Sequence, residues 1–165
     1  MSERGLRVNG PAGTPLPGVV ALREVRAADL PILCAQQQDP VANQMAAFPA
    51  RHEDAFLAHW AKILADPTVT ARTVLFDGQV ASNLVSFEHD GQREIGYWIG
   101  REFWGLGVAT RALSVFLGLE PARPLYAGVA PHNEASIRVL EKCGFALTGK
   151  EDDGFLILRL DTAAP

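Results

Sequence analysis

A chain of 165 residues, 48% hydrophobic and 21% charged, has the size and composition of one globular domain able to bury a sizeable core. Its formal net charge of −4 excludes a general nucleic-acid binder, which carries a basic surplus, but leaves room for a small anion at a helix N-terminus. Two cysteines, Cys34 and Cys143, make neither a disulfide framework nor a Cys-x-x-Cys pair. The scattered His52, His59, His89 and His132 offer no i, i+4 pair for a metal, and none is expected.

Residues 1–18 hold the Gly/Pro-rich run "GPAGTPLPG" and no apolar h-region, so they are expected to be a flexible lead-in rather than a secretory signal. The domain is expected over residues 19–165. No apolar stretch reaches the roughly 18 residues that cross a bilayer, so no membrane association is expected and a cytoplasmic, reducing setting fits. Alternation over residues 19–25 predicts a first strand. Residues 28–38 and 51–64 carry helical spacing, the second through Phe56, Trp60 and Ile63, with Pro40, Pro49 and Pro67 as punctuation.

Three runs, 71–76, 80–88 and 93–99, predict an antiparallel meander closed by Asp-Gly turns at Asp77 and Asp90. The pattern then changes. Residues 108–119 are apolar around most of a helix and 125–129 form a short strand. An amphipathic helix follows over 134–143, with Gly144 at its C-cap and Phe145 packing back. Residues 146–150 and 155–160 predict a closing strand pair. The class is α/β with a mixed sheet.

The most informative stretch is "GYWIGREFWGLGVATRAL", residues 96–113. A strand ends near Ile99 and a helix begins near Gly107. Gly105 and Gly107 give the loop backbone freedom and room for close approach. The unpaired N–H groups of the first helical turn, at the positive end of its dipole, then form a natural pyrophosphate cradle. A P-loop needs Lys and Ser/Thr after its second glycine, where Val108 and Ala109 stand. A Rossmann fingerprint needs Gly or Ala where Thr110 stands, and an acidic residue roughly 20 positions on. Neither fits. The same glycines also serve simply to turn a strand into a helix.

The loop resembles the acetyl-CoA motif of the GNAT acetyltransferases, Gln/Arg-x-x-Gly-x-Gly/Ala, falling on Trp104-Gly105-Leu106-Gly107-Val108-Ala109. Trp104 in place of Gln/Arg, and "EIGYWI" before it, are similar to the RimJ/RimL-type branch, the ribosomal-protein N-terminal acetyltransferases. Leu106 stands where that branch often has lysine. A second match, "NEASIRVLEKCGF" at 133–145, is similar to the family's CoA-side helix. The resemblance implies a GNAT fold, an α/β architecture whose mixed, mostly antiparallel central sheet of about six to seven strands is flanked by about four helices.

It further implies transfer of the acetyl group of acetyl-CoA to a primary amine, a protein N-terminus or small-molecule amine, by a monomer or homodimer. A non-catalytic acyl-CoA sensor on the same fold is the alternative. By resemblance the co-substrate is held by Trp104, Gly105, Leu106, Gly107, Val108, Ala109 and Thr110. Backbone groups near Trp98 and Ile99 are left free for it where the sheet splays. Asn133 contacts the pantetheine arm besides capping its helix, and Ser136 shares that face. Arg111 or Arg138 is a candidate contact for the 3′-phosphate, unless each is an ordinary surface arginine.

Many members protonate the thiolate with a tyrosine where Leu140 stands here, so Ser136, a water or no dedicated acid must serve. Glu94 is the candidate base. Strand alternation puts Glu94, Gly96 and Trp98 on one face, and the alternative for Glu94 is a solvated hairpin-end charge. The helical region between residues 28 and 64, with Met45, Phe48 and Trp60, is expected to form the acceptor rim.

Overall fold

The computed structural model describes residues 18–162. The lead-in expected over residues 1–18 therefore lies outside the described residues except for Gly18. The chain runs β1 (Val20–Arg23), a 3-10 turn (Ala27–Asp29), α1 (Leu30–Gln37), α2 (Pro40–Ala46), α3 (Glu53–Ala65), β2 (Thr70–Phe76), β3 (Gln79–His89) and β4 (Gln92–Ile99). A second 3-10 turn (Arg101–Phe103), α4 (Val108–Leu119), β5 (Leu125–Val129), α5 (Glu134–Lys142), β6 (Ala146–Lys150) and β7 (Leu156–Leu160) complete it. No helix among the described residues is long and apolar enough to cross a membrane.

The strands form one seven-stranded sheet in the order β1-β2-β3-β4-β5-β7-β6. Every neighbouring pair is antiparallel except β4–β5. Among the described residues five α-helices stand where about four were expected. The addition is α2, whose opening Pro40 reads in the sequence as a break. Proline is well suited to the first helical position, because its missing N–H would be unpaired there anyway. The Asp39 side chain caps the turn, accepting from the Val41 N–H at 2.9 Å.

Two apolar clusters hold the layers together. Leu84, Ile95, Leu113, Phe116, Leu125, Leu140 and Leu158 fill the space between the sheet and α4/α5. Leu33, Cys34, Phe56 and Trp60 seal α1 and α3 onto the opposite face. Each such side chain, fully buried, contributes about 1.5–3 kcal/mol. Trp60 is thus a core residue, only 4% exposed, and no part of an acceptor rim.

What positions the site is the junction of β4 and β5. The two strands pair at only two steps, Arg93 with Leu125 and Glu94 with Tyr126, and then diverge. A buried polar cluster fixes the root of this splay. The Ser86 hydroxyl donates to Glu120 at 2.5 Å, Arg93 Nε donates to Ser86 Oγ at 2.7 Å, and Arg93 also reaches Glu120 at 3.2 Å. Burial opposes the Glu120 charge. The hydrogen bonds from Ser86 and the Ala122 amide, with the Arg93 charge, outweigh it and hold the carboxyl below its ordinary range.

Candidate active site

The Trp104–Thr110 loop leads from β4 into α4. Gly105 and Gly107 both adopt left-handed φ, +76° and +72°, a region that costs any residue with a Cβ about 1–2 kcal/mol. Gly107 caps α4 without a side-chain bond, and the first turn closes with the Arg111 N–H donating to the Gly107 carbonyl at 3.3 Å. By helix geometry the N–H groups of Val108, Ala109 and Thr110 have no carbonyl before them in the helix. A Cβ built on Gly105 would meet only open space, so the approach to the loop is clear.

Arg111 holds the loop from behind. It is 1% exposed, and its guanidinium donates to the carbonyls of Leu106 (2.8 Å), Gly107 (3.2 Å) and Gly18 (3.0 Å) while lying over the Phe76 ring. With loop carbonyls drawn inward, the amides are left to the cleft. Arg111 is therefore a structural clasp rather than a contact for the 3′-phosphate. Arg138 does line the cleft, paired at 3.3 Å with Glu134. Leu106 packs against the main core and does not line the cleft, so its part in the cradle is its backbone alone.

The cleft beside the loop has a volume of about 360 Å³ and is lined by Trp98, Ile99, Trp104, Gly105, Gly107, Val108, Ala109 and Thr110 from one side and Asn133 and Ser136 from the other. The structure thus brings together all the predicted donor-site residues except Leu106. Trp104 is 38% exposed and its indole N–H donates to the Ile99 carbonyl at 3.0 Å. The ladder divides Trp98 from Ile99. The Gly100 N–H bonds the Ala81 carbonyl, and alternation from there gives the Trp98 backbone to β3. The backbone groups of Tyr97 and Ile99 face the splay instead. Trp98 contributes its side chain, tethered through Nε1 to the Gln36 carbonyl at 2.9 Å.

Asn133 is the N-cap of α5. Its Oδ1 accepts from the Ser136 N–H at 3.2 Å, and its amide nitrogen has no partner among the described residues. A second cavity of about 120 Å³ opens between the diverging strands, sharing Tyr97, Asn133, Ser136 and Ala46 with the first. Over the cleft lies α2, contributing Ala42 and Met45. It is tied at one end by Arg101 to Asp39 at 2.9 Å, and at the other by the His132 Nε2–H donating to the Gln44 carbonyl at 2.9 Å.

Two groups depart from the sequence reading. Glu94 lines neither cavity; its carboxylate sits 3.2 Å from His89 Nδ1 at the hairpin end, with Gly96 between it and the splay. Hydrogen bonding to Glu94, and the charges of Asp90 and Glu94, hold the His89 imidazole above its usual pKa. The residue that the sequence reading missed is Tyr97. Its hydroxyl lies 2.5 Å from Ser136 Oγ, where the two cavities meet. Strand parity alone, which turns Tyr97 away from Trp98 and toward α5, was the available signal.

Residues 20–146 match the family model described as the Acetyltransferase (GNAT) domain. The chain belongs to the GNAT acetyltransferases. Among curated proteins it is 31% identical over 115 residues to the "Putative ribosomal N-acetyltransferase YdaF" of Bacillus subtilis (strain 168). That match covers 64% of this chain and 62% of the length of YdaF. Mycobacterium smegmatis RimJ in complex with CoA-disulfide superposes with a TM-score of 0.70 at 22% identity, covering 96% of this chain and 87% of that one. The aminoglycoside acetyltransferase AAC(6')-Ib in complex with "Parmomycin" and acetyl-CoA does so at 0.73 and 20% identity, covering 86% and 93%. The structural likenesses bear out the GNAT fold, and the sequence similarity to YdaF supports the RimJ/RimL-like branch.

Proposed function

We propose that this chain transfers the acetyl group of acetyl-CoA to a primary amine, a protein N-terminus or a small-molecule amine, by direct attack in a ternary complex. One observation carries the reading. The Gly105–Thr110 turn, with its open amides, borders a cleft that shares Ala46, Tyr97, Asn133 and Ser136 with the cavity in the splay of the sheet. The acetyl thioester supplies an activated carbonyl. The chain's own task is to hold that carbonyl and the amine in line, which is worth several kcal/mol of barrier.

In this reading the loop amides take the pyrophosphate, and the free Asn133 amide donates to the pantetheine arm. The backbone groups of Tyr97 and Ile99 that face the splay receive the acetyl end. Ser136 serves the departing sulfur. Glu94 accepts the amine's proton through a water. The acceptor approaches past Met45, Phe48 and Trp98, whose last two rings meet edge to face at 6.2 Å.

Gly107→Val places a branched side chain at the loop and keeps the rest of the domain. Calorimetry should show at least a tenfold loss of acetyl-CoA affinity with the circular dichroism spectrum retained. Unchanged affinity in the folded variant removes the cradle. Release of CoA thiol against a panel of amines and peptide N-termini tests turnover. Tight acetyl-CoA binding without turnover on any of them replaces the enzyme with an acyl-CoA sensor.

A further inference from the structure

GNAT chemistry leaves a charged sulfur as the C–S bond breaks, and α5 offers no hydroxyl at Leu140, which is 1% exposed in the core. The hydroxyls at hand are Ser136 and Tyr97. A serine hydroxyl has one proton, so whichever neighbour receives it decides what else Ser136 is able to do. If Ser136 donated to Tyr97, it would present only lone pairs to the sulfur, which repels them.

The pair has two arrangements, and they differ in where the serine proton goes. The Tyr97 hydroxyl faces two atoms of the same residue, Ser136 Oγ at 2.5 Å and the Ser136 carbonyl at 3.4 Å. Either hydroxyl is able to donate across the 2.5 Å contact; with the phenol as donor the Oγ proton is left for a third partner, and with the serine as donor it is not. Asn133 Oδ1 takes the Ser136 amide, and Ser136 Oγ has no hydrogen-bond partner among the described residues other than Tyr97. Both residues line the place where the donor cleft meets the splay.

We propose that Tyr97 is a positioning residue that aims the Ser136 hydroxyl proton at the sulfur of CoA, so that Ser136 stabilises the departing thiolate by hydrogen bonding. This rests on the acetyl-transfer reading and on the place given there to Ser136. The amine nitrogen forms the new C–N bond with the acetyl carbon, the C–S bond breaks with both electrons going to sulfur, the amine's proton goes to the base, and Ser136 and Tyr97 each keep theirs. Burial pushes the Tyr97 phenol up to about 12 against the opposing Ser136 hydrogen bond, with the Cys143 thiol as the other ionisable group acting on it. A thiol near pKa 8.5 is more than about 10³-fold the stronger acid, so hydrogen bonding without transfer is the favoured state.

CoA itself is the probe, and no acceptor is needed. The thiolate absorbance of the CoA complex, read against the acetyl-CoA complex, is followed across pH for wild type, Tyr97→Phe, Ser136→Ala and the double variant. Wild type should hold about tenfold more of its bound CoA as thiolate than free CoA does at the same pH. Tyr97→Phe should cut that excess at least threefold, and Ser136→Ala should abolish it. The double variant should match Ser136→Ala, because Tyr97 acts through Ser136. CoA affinity measured for each variant reports the integrity of the cleft.

A Tyr97→Phe complex titrating like wild type, while Ser136→Ala does not, overturns the positioning role alone. A further change on adding Tyr97→Phe to Ser136→Ala also overturns it, because Tyr97 would then act on sulfur by another route. Ser136→Ala titrating like wild type removes Ser136 and Tyr97 together. Failure of wild type to bind CoA overturns the acetyl-transfer reading itself.

Discussion

For Glu94 as the proposed base, the demand is set by the acceptor. An α-amine with pKa about 8 is partly neutral at physiological pH, whereas a lysine-like amine near 10.4 is almost wholly protonated. Glu94→Gln keeps the side chain's shape, so kcat/KM at neutral pH should fall about 10²-fold with an alkylamine and much less with a peptide N-terminus. Losses below threefold with both acceptors return Glu94 to its partnership with His89. The residue scale is also where the sequence was least transparent. Asn133 and the glycines of the loop stand where the motif put them, because backbone geometry dictates their types. Tyr97 was passed over because its partner lies 39 residues away on another element. Neither propensity nor spacing predicts a contact of that kind.

At the scale of elements, the loop and α4 behave as one part held by Arg111. Arg111→Lys keeps the charge but loses the planar fork that reaches several carbonyls at once. With its carbonyls released, the loop should bind CoA at least tenfold more weakly. S-acetyl-pantetheine, which lacks the pyrophosphate, should be bound as well as by wild type. Equal weakening of both ligands would mean that Arg111 supports the domain at large rather than the cradle. Periodicity alone predicted α4, β5 and β6 at the bounds they have. It missed α2 because a proline that opens a helix and one that ends it look alike until the cap is seen. Arg111 lies on a helix predicted to be apolar and largely buried, and only the curled loop beneath it explains a charge there.

Across the whole molecule, β1, the first 3-10 turn and β2 are joined by Asp29. Its carboxylate accepts from Arg23 at 2.6 and 2.8 Å, from the Arg26 amide at 2.8 Å and from Thr73 at 2.8 Å. Burial opposes the charge, but these bonds and the Arg23 charge prevail and lower its pKa from 3.8 to about 2. The folded value lies below the unfolded one, so the stabilisation is present above about pH 4 and is lost as pH falls toward 2. Urea titrations should show wild type losing about 2 kcal/mol over that window. Asp29→Asn should lack that share of the acid limb; an unaltered limb would place the acid sensitivity elsewhere. The order of elements made the sheet itself legible, but the depth of the splay was not, since it depends on where Ser86, Arg93 and Glu120 lock. That lock has a mechanical consequence. The sheet is two half-sheets joined at a seam two residue pairs wide, and the cleft beside it is lined by β4 on one side and α5 on the other. In the proposed reading acetyl-CoA is therefore a suture as well as a reactant, and binding across the seam should stabilise the folded sheet by mass action.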